Sequence, residues 1–276
     1  MLTQLWENPI FVRARQVEAR RQGKGLQAFV TRFGGGMALV LGPLAVTMFF
    51  TAGELLVNPE KWVHTWLGSV VGFTAFLGIL YVTMRAVSAT AGAISLEKEQ
   101  KTYECLLATR LRSEEVLAGK LAAHLWPITR ELMAAAPIAV GLGILSGHAL
   151  QSVLFVCLAV TCVSLFGLLG TWASYTSVSS QQASRKAMFL ALGFVLMGPM
   201  VDFLLYGLIG PGGSYYVPVA TVSSPMVAAW SVLSLSDVGP IAAWQWAWAW
   251  TFLLYAVLCS ILWWSIRRKA EEARVA

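Results

Sequence analysis

The chain has 276 residues, of which 57% are hydrophobic and 12% charged, against about 25% charged in an average soluble domain. That composition excludes an ordinary water-soluble domain and a disordered chain, and four cysteines over this length exclude a disulfide scaffold. The solvent is lipid and the predicted fold is all-α, because irregular backbone cannot face hydrocarbon.

Residues 1–32 predict an amphipathic helix on the inner membrane surface. Asn8 suits an N-cap and Pro9 the first helical position. Trp6, Ile10, Ala14 and Val17 then share a stripe, with Arg13, Arg15, Arg20 and Arg21 mostly away from it. Residues 33–276 predict a membrane domain of six spans, since about 20 apolar residues cross the hydrocarbon. The first covers about 33–57. The second covers about 62–96: it opens at Trp62 and Trp66, is apolar to Met84, and continues uncharged from Ala86 to Leu96 as a helix projecting beyond the membrane.

The loop that follows begins with Glu97, Lys98 and Glu99. Thr102 suits the cap of a two-turn helix in which Tyr103, Leu106 and Leu107 share one face, with Glu104 inside it. Ser113, Glu114 and Glu115 open the third helix, spanning about 114–146, with acids at its positive end. A short helix with an apolar face, pushed out of the membrane between two spans, fits a groove in a soluble partner.

The fourth span covers about 151–178 and the fifth about 187–210, with Asp202 inside it. In the last outer loop Ser224 and Pro225 open an apolar helix over 226–235, too short to span and therefore re-entrant or interfacial. The sixth span covers about 241–266, with Trp244, Trp246, Trp248 and Trp250 at one boundary and Trp263 and Trp264 at the other.

Lys and Arg set the orientation. Nineteen of the 20 fall at the termini and in the second and fourth loops, and only Lys61 lies elsewhere. Both termini are therefore expected in the cytoplasm. Nineteen cations and ten acids inside leave +9, while one cation and four acids outside leave −3. The basic balance thus reflects topology and anionic lipid, with no nucleic-acid partner expected.

No phosphate loop occurs around Gly23-Lys24 or Gly119-Lys120, so nucleotide hydrolysis is expected in another chain. His64, His124 and His148 are scattered, and Cys105, Cys157, Cys162 and Cys259 form no CxxC pair. No catalytic, cofactor or metal site is therefore expected in this chain. Asp202 is an intramembrane carboxylate, a functional candidate by default. Arg85 and Glu131 stand on antiparallel helices near the inner interface, placed either to pair or to reach headgroups separately. Ser164, Thr171 and Tyr175 form a polar stripe that hydrogen bonds to their own backbone or to a neighbour would explain.

The run from Glu97, Lys98, Glu99, Gln100, Lys101 and Thr102 through Tyr103, Glu104, Cys105, Leu106 and Leu107, followed by Gly119 and Lys120, resembles the segment after the second span in permeases of ABC-2 type ATP-binding-cassette transporters. Asn8, Pro9 and the basic helix resemble that family's connecting helix. Lys101 stands where the family often has glycine, and Arg110 where it often has proline. The resemblance implies a permease pair in the bacterial inner membrane, homodimeric or with a paralogue, working with two ATPase subunits that carry ATP and Mg. It also implies that Glu97, Glu99, Thr102, Tyr103, Glu104, Leu106 and Leu107 form the coupling helix docking on the ATPase. The alternatives are a membrane-embedded enzyme acting on lipid and a non-transporting anchor for an ATPase complex.

Overall fold

The computed structural model describes residues 8–13, 16, 45, 48, 59–103, 112–145, 147–209, 220–233 and 247–275. Among these residues all regular structure is helical. In chain order the helices are α1 Pro59–Thr90, α2 Ser95–Glu99, α3 Ser113–Leu145, α4 Ala149–Thr176, α5 Ser180–Ile209, α6 Pro225–Leu233 and α7 Ala247–Val275. Four segments, Phe76–Glu99, Ser113–Leu145, Ala149–Thr176 and Trp248–Glu272, are long and apolar enough to cross a bilayer, which marks an integral membrane protein. The expected first span at 33–57, apart from helical residues 45 and 48, lies outside the described residues, as does most of the expected helix at 1–32.

Helix α4 is the core element, because its 28 residues carry no charge and several of its hydroxyls bond to its own turns. Thr161, Ser164 and Thr171 donate to the carbonyls of Cys157, Val160 and Gly167, at 2.8, 3.0 and 2.9 Å. Polar residues are thereby tolerated on an apolar helix. Residues 165–171 are buried in unbroken succession, and α1, α3, α5, α6 and α7 all pack on α4. Phe166 sits edge-to-face against both Phe194 of α5 and Tyr255 of α7.

The second helix does not run unbroken to Leu96. It ends at Thr90, whose hydroxyl turns back to the Ala86 carbonyl at 2.9 Å, and a turn at 91–94 precedes α2. The backbone amides freed at this break are capped from α4. Ser174 Oγ accepts from the amides of Ile94 and Ser95 at 2.9 and 2.8 Å and donates to Ser95 Oγ at 3.2 Å. Ser174 is fully buried and serves as an N-cap contributed by another helix.

The end of α2 is equally well defined. The Thr102 amide donates to the Glu97 carbonyl at 3.0 Å and the Lys101 amide to the Lys98 carbonyl at 3.2 Å, with Lys101 at φ 56° between them. These are the paired bonds of a Schellman stop, whose left-handed residue is ordinarily glycine. Thr102 thus closes α2, its hydroxyl also reaching the Glu97 carbonyl at 3.4 Å, and at the same time stands directly before helical Tyr103, where a cap is expected. Tyr103 is helical, whereas Glu104, Cys105, Leu106 and Leu107 lie outside the described residues. Replacing the exposed Lys101 by glycine relieves the left-handed strain. Lys101→Gly is expected to add up to about 1 kcal/mol of stability, read as a thermal midpoint about 2 °C higher in detergent.

Other boundaries shift outward for local reasons. Helix α5 starts at Ser180 and includes Arg185 and Lys186, and α7 runs through the basic tail to Val275. In that tail Arg267–Glu271 and Arg268–Glu272 are i,i+4 ion pairs at 3.1 and 3.0 Å that favour continued helix. Helix α3 passes through Pro127 and Pro137 without ending.

The short helix expected after Pro225 is α6, and it is buried. Ala228, Ala229, Ser231 and Val232 lie inside, against α1, α4 and α7. The Ser224 hydroxyl donates to the Val195 carbonyl of α5 at 3.0 Å, so it ties α6 to α5 as well as standing before its first turn. Thr251 and Tyr255 of α7 donate to the carbonyls of Val222 and Ser223, each at 2.9 Å, and fix the approach to α6.

Candidate functional site

Sequence segments that are far apart meet at one end of the bundle. The end of α1, all of α2, the start of α3, the end of α4, the start of α5 and the end of α7 converge there, joined by the charged residues that flank the apolar helices.

The first anchor is Asn8. Its Oδ1 accepts from the Ile10 amide at 3.0 Å, which caps the helical residues 9–13, and its Nδ2 donates to the Glu115 carbonyl of α3 at 2.7 Å. A Cβ on Gly119 would lie 2.7 Å from Asn8 Oδ1, so this contact needs glycine there. Phe11 is buried one turn on, edge-to-face with Trp126 at 5.8 Å. Residues 8–11 are thus docked on α3.

The second anchor is Lys120, the residue after that glycine. It forms an ion pair with Glu97 of α2, with side-chain exposures of 10% for Lys120 and 24% for Glu97. Gly119 and Lys120 therefore work as a unit, one admitting the N-terminal helix and the other gripping α2. At the opening of α3, Glu115 accepts from the Arg112 amide at 2.9 Å, and Glu114 pairs with Arg267 of α7 at 2.6 Å.

The remaining charges of α2 cap its neighbours. Lys98 Nζ donates to the Tyr175 carbonyl at the C-terminus of α4, at 2.8 Å. Glu99 accepts from the amide and hydroxyl of Ser180 at the N-terminus of α5, at 2.7 and 2.9 Å. Tyr103 donates to the Tyr175 hydroxyl at 3.3 Å, and the two rings meet edge-to-face. One five-residue helix thereby links α3, α4 and α5.

Of the residues singled out from sequence, Glu97, Glu99, Thr102 and Tyr103 are brought together here. Arg85 and Glu131 meet separately, deeper in the bundle: Arg85 forms a two-pronged ion pair with Glu131, with Nη2–Oε1 at 2.8 Å, and Tyr81 Oη donates to Glu131 at 3.3 Å. Glu131 is buried, so this contact joins α1 to α3 about one and a half turns before α1 ends. Asp202 lies on α5, seven residues before its end and away from both clusters in sequence, and its side chain is outside the described residues. Sequence spacing does not reveal Ser174 or the Glu97–Lys120 pairing, because both depend on how α4 and α3 return past α2.

No family model matches the chain, and no curated protein matches it in sequence.

Proposed function

We propose that the chain is the permease subunit of an ABC-2 type exporter, with six spans, both termini in the cytoplasm of a bacterial inner membrane, and a separate ATPase docking at 97–107. The observation that carries this reading is the convergence of Asn8, Glu97 and Gly119-Lys120, the three features of the sequence resemblance, in one contact set. A signal received at α2 in this reading reaches the helix starts and ends through Lys98, Glu99 and Lys120, which fasten it to α4, α5 and α3. In this reading ATP closes the ATPase pair, the two coupling segments approach one another, and the bundles rock between inward and outward access. The buried α6 stands for the re-entrant element of the outer loop, and Asp202, on the fifth span, is this reading's candidate for an intramembrane polar role.

Purification of the full chain in mild detergent tests this. The expected result is retention of a subunit bearing a nucleotide phosphate loop, with ATP hydrolysis that the permease stimulates. Lipid turnover by the isolated chain with no ATPase retained would favour the membrane-embedded enzyme instead.

A further inference from the structure

The same end of the bundle holds a second cluster, which shares only Lys98 and its tyrosines with the helix-linking contacts. Lys186 of α5 and Lys269 of α7 both lie over the indole of Trp172 on α4, with Nζ at 4.5 and 5.6 Å from the ring centroid. Lys98 lies over the rings of Tyr103 and Tyr175 and is close enough to Lys269 for the two to repel. Among the described residues none of these three ammonium groups has a carboxylate partner, although the neighbouring Arg267 has two and Arg268 one. Lys186 and Lys98 instead donate to the Thr176 hydroxyl and the Tyr175 carbonyl, each at 2.8 Å, which holds them in place without neutralising them.

Three positioned, unneutralised cations on aromatic faces lack an anion. The geometry points to a binding site for the headgroup phosphate of an anionic phospholipid, formed by Lys98, Lys186 and Lys269 around Trp172. A lipid rather than a free phosphate is favoured by what adjoins the lysines. Phe189, Met197, Met200 and Leu204 follow Lys186 along one stripe of α5, and all four are exposed, Phe189 at 80%. Gly193 interrupts the stripe, and a Cβ there would meet nothing closer than Met197 at 4.0 Å, which leaves a shallow track for an acyl chain. Charged headgroup and apolar tail are thus both matched, as expected for a basic pocket between membrane helices. The proposal shares with the transporter reading only that this end of the bundle meets a bilayer surface.

The test is the thermal midpoint of the purified full chain in neutral detergent as phosphatidylglycerol is added, with native mass spectrometry counting retained lipid. The wild-type midpoint is expected to rise saturably with phosphatidylglycerol and not with phosphatidylcholine. In Lys186→Gln/Lys269→Gln the concentration needed should increase about 30-fold, on the scale of two basic residues near a charged surface. Each protein is read against its own lipid-free midpoint, so a general loss of stability does not imitate the effect. Lys186→Arg/Lys269→Arg should retain the response, and Arg268→Gln, outside the cluster, should leave it unchanged. An unaltered response in the double Gln variant overturns the site. An equal saturable rise with inorganic phosphate overturns its assignment to lipid. Neither arm involves an ATPase, so failure here leaves the transporter reading untouched, and the converse holds.

Discussion

Glu97→Ala is expected to destabilise the protein by about 3 kcal/mol, whereas Lys120→Met is expected to cost far less. The asymmetry follows from burial. Lys120 is the more enclosed partner, so removing Glu97 strands an ammonium group away from water, while removing Lys120 leaves a carboxylate that still reaches solvent. An apolar methionine also fills the space of the lysine stem. The double variant Glu97→Ala/Lys120→Met should recover most of the loss, and denaturant unfolding in detergent reads all three. Equal effects from the two single variants would mean that the pair is no more than a surface bridge, worth under about 1 kcal/mol.

Gly170→Val should be at least as damaging. A Cβ on Gly170 would stand 2.1 Å from Thr90 Oγ1 and 2.8 Å from the Val87 carbonyl oxygen, both on α1. The hydroxyl can rotate away, but the carbonyl is part of the helix, so α1 and α4 must separate at this contact. Overpacking alone costs about 1–3 kcal/mol, and separation also withdraws Ser174 from the amides of Ile94 and Ser95. The expected outcome is a loss of about 3 kcal/mol or more, together with faster proteolysis of the 91–103 segment. Thr90→Ala should rescue Gly170→Ala only in part, since the carbonyl remains. A fully stable Gly170→Val would show that α1 and α4 are not packed in this way.

These two sites mark where the sequence is legible and where it is not. The apolar helices are readable because bilayer thickness imposes a length, and Asn8 with Pro9 is readable because capping is local. The four cations 98, 120, 186 and 269 announce one end of the bundle by their positions, but not their partners. The break at 91–94 carries no proline, and its cap, Ser174, lies about eighty residues away. Thr102 reads as the start of a helix and does stand directly before helical Tyr103, but its second part, closing α2 onto Glu97 through Lys101 in the left-handed region, is not announced by residue type. Charged residues at 180–186 and 267–275 read as loop and tail, but capping by Glu99 and i,i+4 ion pairs keep them helical. In each case a contact from outside the local window decides the outcome.

The central claim is that the segment at 97–107 carries the ATPase stroke into the bundle. The direct measurement is ATPase retention and transport-linked ATP hydrolysis by the complex carrying Leu106→Ser/Leu107→Ser. These changes remove two of the three apolar residues of the expected face and leave Tyr103, Glu97, Lys98, Glu99 and their contacts in place. The account predicts that the variant inserts and folds with an unchanged thermal midpoint, while ATPase binding weakens and coupled hydrolysis is abolished. Full ATPase binding and full transport in that variant would contradict it and place coupling elsewhere on the chain.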